Sequence, residues 1–219
     1  MSILNKSTLS ELPSDIQVPQ YNRDEIKVGI FHFGVGGFHR SHQALLMDNL
    51  YTQGLAKDFG ICGVNILPFD KKMSDVMKSQ NNLYTLVEKP NDGNFTYRII
   101  GSIVDYMFAL DDVDALIERL TGDEAKIVTL TITEGGYNTN PANGEFNLNN
   151  QAVQDDIKNL KHPKTVFGII CEALRRRKER NLRGFTILSC DNLQGNGKIA
   201  KKSFTAFAKA VDPSLYEWM

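Results

Sequence analysis

An apolar run that ends in glycines and passes at once into a helical pattern leaves a chain few folds to choose from. Residues 26–40, Ile-Lys-Val-Gly-Ile-Phe-His-Phe-Gly-Val-Gly-Gly-Phe-His-Arg, form such a run. Val28 to Phe33 has the apolar continuity of a strand buried on both faces. Gly34 permits a tight turn, Gly36 lets backbone approach a ligand, and the helix that follows offers free N–H groups and the positive end of its dipole. This strand, turn and helix order is the setting in which a G-x-G motif binds a dinucleotide. The third glycine of G-x-G-x-x-G is replaced by His39, and an additional glycine stands at Gly37. A purely structural βα turn therefore fits these residues as well. Arg40, at the start of the helix, can pair with phosphate oxygens or stay solvated.

Such a motif needs a sheet around it, and the chain can supply one. Its 219 residues are 42% hydrophobic and 23% charged, enough for one sizeable core. The net charge of −1 argues against a dedicated nucleic-acid binder. There is no apolar run of membrane-spanning length and no secretory leader pattern. Cys62, Cys171 and Cys190 are few and widely spaced, which fits reduced thiols and a cytoplasmic setting.

Residues 1–25 hold two prolines in mixed polarity and read as an extended arm lying on a dinucleotide-binding domain of residues 26–219. A helix over 41–53, ended by Gly54, and a second buried strand over 59–66 complete a βαβ unit. Asp70 is placed to N-cap a helix over 71–80. The β-rich runs 83–88 and 95–100 flank Asp92-Gly93, which predicts a hairpin inserted into the alternation. A helix from Asp111, a strand over 126–132, a helix over 165–180, a strand over 184–189 and a helix over 198–209 follow. The fold class is α/β, a Rossmann-type, doubly wound and mostly parallel sheet with a β-hairpin insertion.

In such sheets ligands bind beyond the C-terminal ends of the strands. The 34–40 turn, Asp70, Glu134 and Asp191-Asn192 all fall there. An acid after the second strand can bond the adenosine ribose and disfavour a 2′-phosphate, which selects NAD, although Lys71 and Lys72 follow it. Asn192 offers an amide N–H to a reacting carbonyl or alkoxide, or else opens an Asx turn. Glu134 is a proton shuttle, a ribose ligand, or a solvated carboxylate. The basic run Arg175 to Arg180 reads as a solvated helix C-terminus complementing the dipole. His32, His39, His42 and His162 make no metal-ligand pattern with the cysteines, so no metal is expected.

The blocks Gly34-Val-Gly-Gly-Phe-His-Arg-Ser-His42, Ile61-Cys-Gly-Val64, Leu83-Tyr-Thr-Leu-Val-Glu88, Thr131-Ile-Thr-Glu-Gly-Gly-Tyr137 and Ser189-Cys-Asp-Asn-Leu193 stand in this order along the chain. Together they resemble the polyol-specific long-chain dehydrogenases, the mannitol 2-dehydrogenase family. The resemblance implies metal-independent binding of NAD by Phe33, Gly34, Val35, Gly36, Gly37, Phe38, His39 and Arg40, with Asp70 and Glu134. It implies that Asn192 helps form the oxyanion site at the reacting carbon. The implied chemistry is hydride transfer between D-mannitol and D-fructose, or between related sugar acids and their reduced forms as in the fructuronate reductases of the same family. The small-molecule partner is thus a polyol or ketose, and neither nucleic acid nor membrane is expected. Family members are longer, and a helical C-terminal domain carries their catalytic lysine. The expectation is therefore a truncated cofactor-binding portion, weak or inactive alone, with that C-terminal domain as a further partner. A non-enzymatic NAD-binding or partner-binding remnant is the other reading.

Overall fold

In the computed structural model, which describes residues 3–219, the first strand β1 is Val28–Phe33, and five of its six residues are buried. Such burial follows from its position. β2 (Gly60–Asn65) lies parallel on one side of β1, and β6 (Ile127–Leu130) lies parallel on the other. β5 (Ile103–Phe108) and β7 (Thr186–Ser189) complete the sheet, in the order β5-β2-β1-β6-β7, with every pair parallel. Numbered along the chain, the five strands run 3-2-1-4-5. This is the doubly wound dinucleotide-binding order, whose direction reverses between β1 and β6.

Alternation along the strands sorts the core into two layers. Phe31, Phe33, Cys62, Val64, Val128 and Leu130 face a cluster shared with α4 (Val113–Thr121), α7 (Val166–Glu179) and α8 (Asn196–Val211). Ile30 and Ile61 face the opposite cluster, with Ala44 from α2 (Gln43–Thr52) and Met77 from α3 (Lys71–Ser79). Phe31 and Ile61 have no exposed surface, and each such side chain contributes roughly 1.5–3 kcal/mol on burial.

The hairpin forms, as β3 (Tyr84–Glu88) and β4 (Thr96–Ile100), but as a separate two-stranded sheet. Its Tyr84 and Ile100 close the second cluster. Residues 3–25 lie on the domain, and they are not extended throughout. A 3-10 turn occupies Lys6–Glu11, started by Asn5, whose side chain accepts from Ser7 N, and a second occupies Arg23–Glu25. Residues 1 and 2 of the predicted arm lie outside the described residues. The arm is held by Gln17, bridged to Arg98 of β4, and by Arg23, whose Nε donates to Gly101 O at 2.8 Å. Tyr21 Oη donates to Asp48 at 2.5 Å, and Asp48, 1% exposed, also accepts from Arg98 and from the Gly101 N–H.

Three local readings are corrected by the fold. The helix expected over 41–53 begins earlier, as α1 (Gly37–Ser41), breaks at His42 and restarts as α2. Ser41 Oγ and His42 Nδ1 bond the Gly37 and Phe38 carbonyls, competing with the helical ladder at the break. The basic run is not a solvated face. Arg175 and Arg176 pair with buried Glu172, Arg180 pairs with Glu118, and Arg177 is 5% exposed. Arg177 donates to the carbonyls of Leu120, Thr121 and Gly122, the C-terminal end of α4, and to Arg183 O. Asp70 sits at the N-cap position of α3 but makes no side-chain cap; its carboxylate turns back to accept from Leu67 N at 3.3 Å. No helix among the described residues is long and apolar enough to cross a membrane.

Candidate functional site

The turn after β1 is fastened to both neighbouring strands. Gly34 takes φ +94°, a region that side chains with a Cβ rarely adopt. Its N–H donates to Val64 O at 3.0 Å, and its carbonyl accepts from Gly36 N at 2.7 Å and from Thr131 Oγ1 at 2.7 Å. A Cβ built on Gly34 would stand 2.1 Å from Thr131 O, so the close approach of the turn to β6 requires glycine. Val35 N donates to Asn65 Oδ1 at 2.9 Å, tying the turn to β2. Gly36 is different: its φ of −90° is open to any residue, and its Cβ would meet only Gly34 O, at 3.9 Å. Beside Gly36 and Gly37 the backbone is bare, as a ligand's close approach requires.

Beneath the turn lies a polar core that sequence patterning hides. His32, with no exposed surface, bonds Thr129 Oγ1 at 2.7 Å through Nδ1 and Thr131 Oγ1 at 2.9 Å through Nε2. The Nε2–H tautomer lets Thr131 accept from His32 while it donates to Gly34 O, giving one chain from β1 through β6 to the turn. The His39 ring stacks on His32, with centroids 3.4 Å apart and planes 14° apart. Burial keeps both rings neutral: it pushes His32 well below its ordinary pKa and His39 down to about 3.

The strand ends surround a cleft of about 690 Å³ at the reversal of strand order, within the range of about 300–1,000 Å³ for small-molecule sites. The turn forms one wall. Ile66, Leu67, Phe69 and Asp70, after β2, form the second. Thr131, Ile132, Thr133, Gly135 and Gly136 form the third, with the start of α7 closing it. Among the predicted residues, Phe33, Gly34, Val35, Gly36, Gly37, Arg40 and Asp70 meet at this cleft. Burial against the cleft wall pushes the Asp70 pKa up, and the Leu67 N–H partly offsets it.

The other predicted residues stand elsewhere. His39 is 1% exposed and points inward to His32, because its place on α1 faces the sheet. Phe38, 47% exposed, stacks on His42 outside the cleft. Glu134 is exposed on α5 (Thr133–Gly136), flanked by the lining residues Thr133 and Gly135. Asn192 is exposed beyond the end of β7 and does not line the cleft. Arg40 is partly committed: its Nη1 donates to Val35 O at 2.9 Å, and its guanidinium lies 5.9 Å from the Tyr84 ring centre. Of Lys71 and Lys72, read as rival attractions for a 2′-phosphate, Lys71 pairs with Asp75 at 2.8 Å and Asp111 at 3.4 Å, and Lys72 is exposed and does not line the cleft. No group of three or more His, Cys, Asp or Glu among the described residues is placed to hold a metal ion.

A larger groove, about 1350 Å³, runs along edge strand β7 between α7, α8 and the C-terminal α9 (Pro213–Trp218). It contains neither the glycine turn nor any predicted site residue, so the smaller cleft is the candidate cofactor site. The residues missed by sequence reasoning are His32, Asn65, Thr129 and Thr131. The one signal available for them was a polar residue within or at the end of an otherwise apolar strand.

Residues 28–219 match the family model described as the mannitol dehydrogenase Rossmann domain. A polyol:NADP oxidoreductase of Gluconobacter oxydans is 43% identical over 219 residues, covering 99% of this chain and 45% of that protein. A mannitol 2-dehydrogenase of Phaeosphaeria nodorum is 41% identical, covering 99% and 38%. Among solved structures, the Pseudomonas fluorescens mannitol 2-dehydrogenase in a ternary complex with NAD and D-mannitol superposes with a TM-score of 0.95. It is 42% identical over 98% of this chain and 44% of that one. The chain thus spans less than half the length of these relatives.

Proposed function

The chain belongs to the mannitol dehydrogenase family through its Rossmann domain, and from that membership we propose that it is the NAD(H)-binding portion of a polyol dehydrogenase. The observation that carries this reading is the meeting of the Gly34–Gly37 turn and Asp70 at one cleft, on the strand-order reversal. The bare backbone of Gly36 and Gly37 fits a pyrophosphate, and the start of α1 directs N–H groups toward it. Asp70 fits the ribose hydroxyls and repels a 2′-phosphate. With Lys71 engaged by two carboxylates, that balance favours NAD over NADP. A cytoplasmic setting belongs to the same reading, supported by three free cysteines.

The nicotinamide supplies the hydride acceptor and donor. The substrate pair is a polyol and its ketose, D-mannitol and D-fructose being supported by the names of the relatives. In the oxidation direction the carbinol carbon gives up a hydride and its hydroxyl gives up a proton to a base. Asn192 steadies the reacting oxygen by donating an amide N–H. Its exposure beyond β7 fits a residue completed by a further domain that brings the base, the lysine implied by the family resemblance. Glu134 is exposed between the cleft-lining Thr133 and Gly135.

Titration of NADH fluorescence tests the reading. Saturable binding of NADH is expected, at least tenfold tighter than that of NADPH, with Asp70→Ser narrowing the gap. Absence of saturable binding, or a preference for NADPH, overturns it. Fructose reduction is expected to be slight for the 219 residues and restored by fusion to the C-terminal portion of a relative.

A further inference from the structure

We propose that Asp191 is a positioning residue that holds the Thr133–Gly136 turn in its cleft-forming shape and thereby sets cofactor affinity, an inference that rests on the cofactor-binding reading. Asp191 follows the end of β7, yet its carboxylate serves the end of β6. Oδ1 accepts from Thr133 N at 2.9 Å, and Oδ2 accepts from Ile132 N at 3.1 Å. Oδ2 also accepts from Tyr137 Oη at 2.7 Å. One side chain therefore grips both the entry and the exit of the turn.

That grip matters because the turn is strained. Thr133 has φ +63°, in the left-handed region that β-branched residues avoid. The exit is anchored too: Tyr137 has no exposed surface, its hydroxyl oxygen accepts from Ser189 Oγ at 2.6 Å while donating to Asp191, and its carbonyl accepts from Ser203 of α8. Asn196 bonds the carbonyls of Ser189 and Asp191, fixing the carboxylate's own backbone. Between the anchors, Thr133, Gly135 and Gly136 line the cleft. Without the carboxylate, the Ile132 and Thr133 amides lose their acceptor and Thr133 relaxes to negative φ. The third wall of the cleft then moves.

The test uses Asp191→Asn, Thr133→Gly and the double variant in the 219-residue chain. It reads hydrogen exchange of the 132–136 amides without cofactor, the NADH dissociation constant well below the melting temperature, and Tm. Asp191→Asn is expected to speed exchange at 132–136 at least tenfold, with the rest of the sheet unchanged, and to weaken NADH binding at least tenfold. Glycine reaches φ +63° without strain, so adding Thr133→Gly is expected to recover binding at least threefold. If Asp191→Asn does not fold, Tyr137→Phe loosens the exit alone, and about a threefold effect in the same direction is expected. A variant with lower Tm but wild-type exchange at 132–136 and wild-type NADH affinity overturns the proposal, as does failure of the double variant to recover. Wild-type chain that does not bind NADH refutes the cofactor reading itself. The exchange rates alone then decide whether Asp191 holds the turn.

Discussion

Replacing Gly34 by alanine separates what the glycine turn does for folding from what it does for the cofactor. The new methyl meets two obstacles. At φ +94° an L-residue is strained by about 1–3 kcal/mol. The methyl also lands 2.1 Å from Thr131 O, a backbone atom just past β6 whose residue is held to Phe33 O by its N–H, and such overpacking costs a further ~1–3 kcal/mol. The sum is about 4 kcal/mol, and at about 2–4 °C per kcal/mol for a chain of this size Tm falls by roughly 8–16 °C. Gly36→Ala is the control. Its methyl has room and its φ is ordinary. The unfavourable N-cap alanine is offset by lost unfolded-state entropy, leaving stability within about 1 kcal/mol. Its methyl does, however, occupy the place where the proposed reading brings a pyrophosphate close. Circular dichroism melts and NADH titration of both variants check the pair. Gly34→Ala is expected to lose stability and binding together, and Gly36→Ala to lose at least tenfold in binding with Tm within about 3 °C of wild type. A Gly34→Ala chain melting within about 3 °C of wild type refutes the reasoning, because the approach to Thr131 would then impose no constraint.

Three further outcomes are expected. Asp48→Ala strips the acceptor from Tyr21, Arg98 and the Gly101 amide; because Arg98 is a quarter exposed, the loss sits near the low end for buried pairs, about 3 kcal/mol in urea unfolding. The same variant frees the arm, so trypsin cuts after Arg23 faster than in wild type. The His32–His39 stack makes stability depend on pH. Both folded-state pKa values are depressed by burial, so the unfolded chain takes up protons that the native one refuses. Stability is fully present above the unfolded pKa of about 6.5 and falls as pH drops toward 3, by up to about 1.4 kcal/mol per pH unit for each histidine. Urea midpoints between pH 7 and pH 5, a window above most carboxylate titrations, should show this slope, and His39→Phe should reduce it by about half.

What could be read from the sequence was local. The run of Val28 to Phe33 and the glycines after it carry their own signal, and the strand, the turn and its place at the cleft were legible. Where a contact came from afar, nothing local announced it. His32 looks like one more member of a buried strand; its partners Thr129 and Thr131 lie 97 and 99 residues away. β5 escaped notice because Asp105 interrupts its apolar run, and only Arg119 from α4, its ion-pair partner, accounts for that charge. The helix Gln151–Lys158 was missed as well, with an apolar face reduced to Val153 and Ile157. His39 was given to the cofactor by the family resemblance, but helical geometry turns its ring inward onto His32. Glu134 and Asn192 sit at strand ends as read, yet both are exposed and neither lines the cleft.

The strand order has a consequence for how this molecule assembles. β1, β2 and β5 come from residues 28–108, and β6 and β7 from residues 127–189. The cleft therefore lies on the seam where two chain halves meet, joined in the sheet by the β1–β6 pairing. Neither half alone has a binding site, because the turn belongs to one and the wall of Thr131, Ile132, Thr133, Gly135 and Gly136 to the other. Such long-range pairing is late and slow in folding. A molecule bound in the seam holds the halves together with RT ln(1 + [L]/Kd) of added stability. A ligand touching both walls therefore stabilises the joined sheet as a whole, and the gain rises with its concentration.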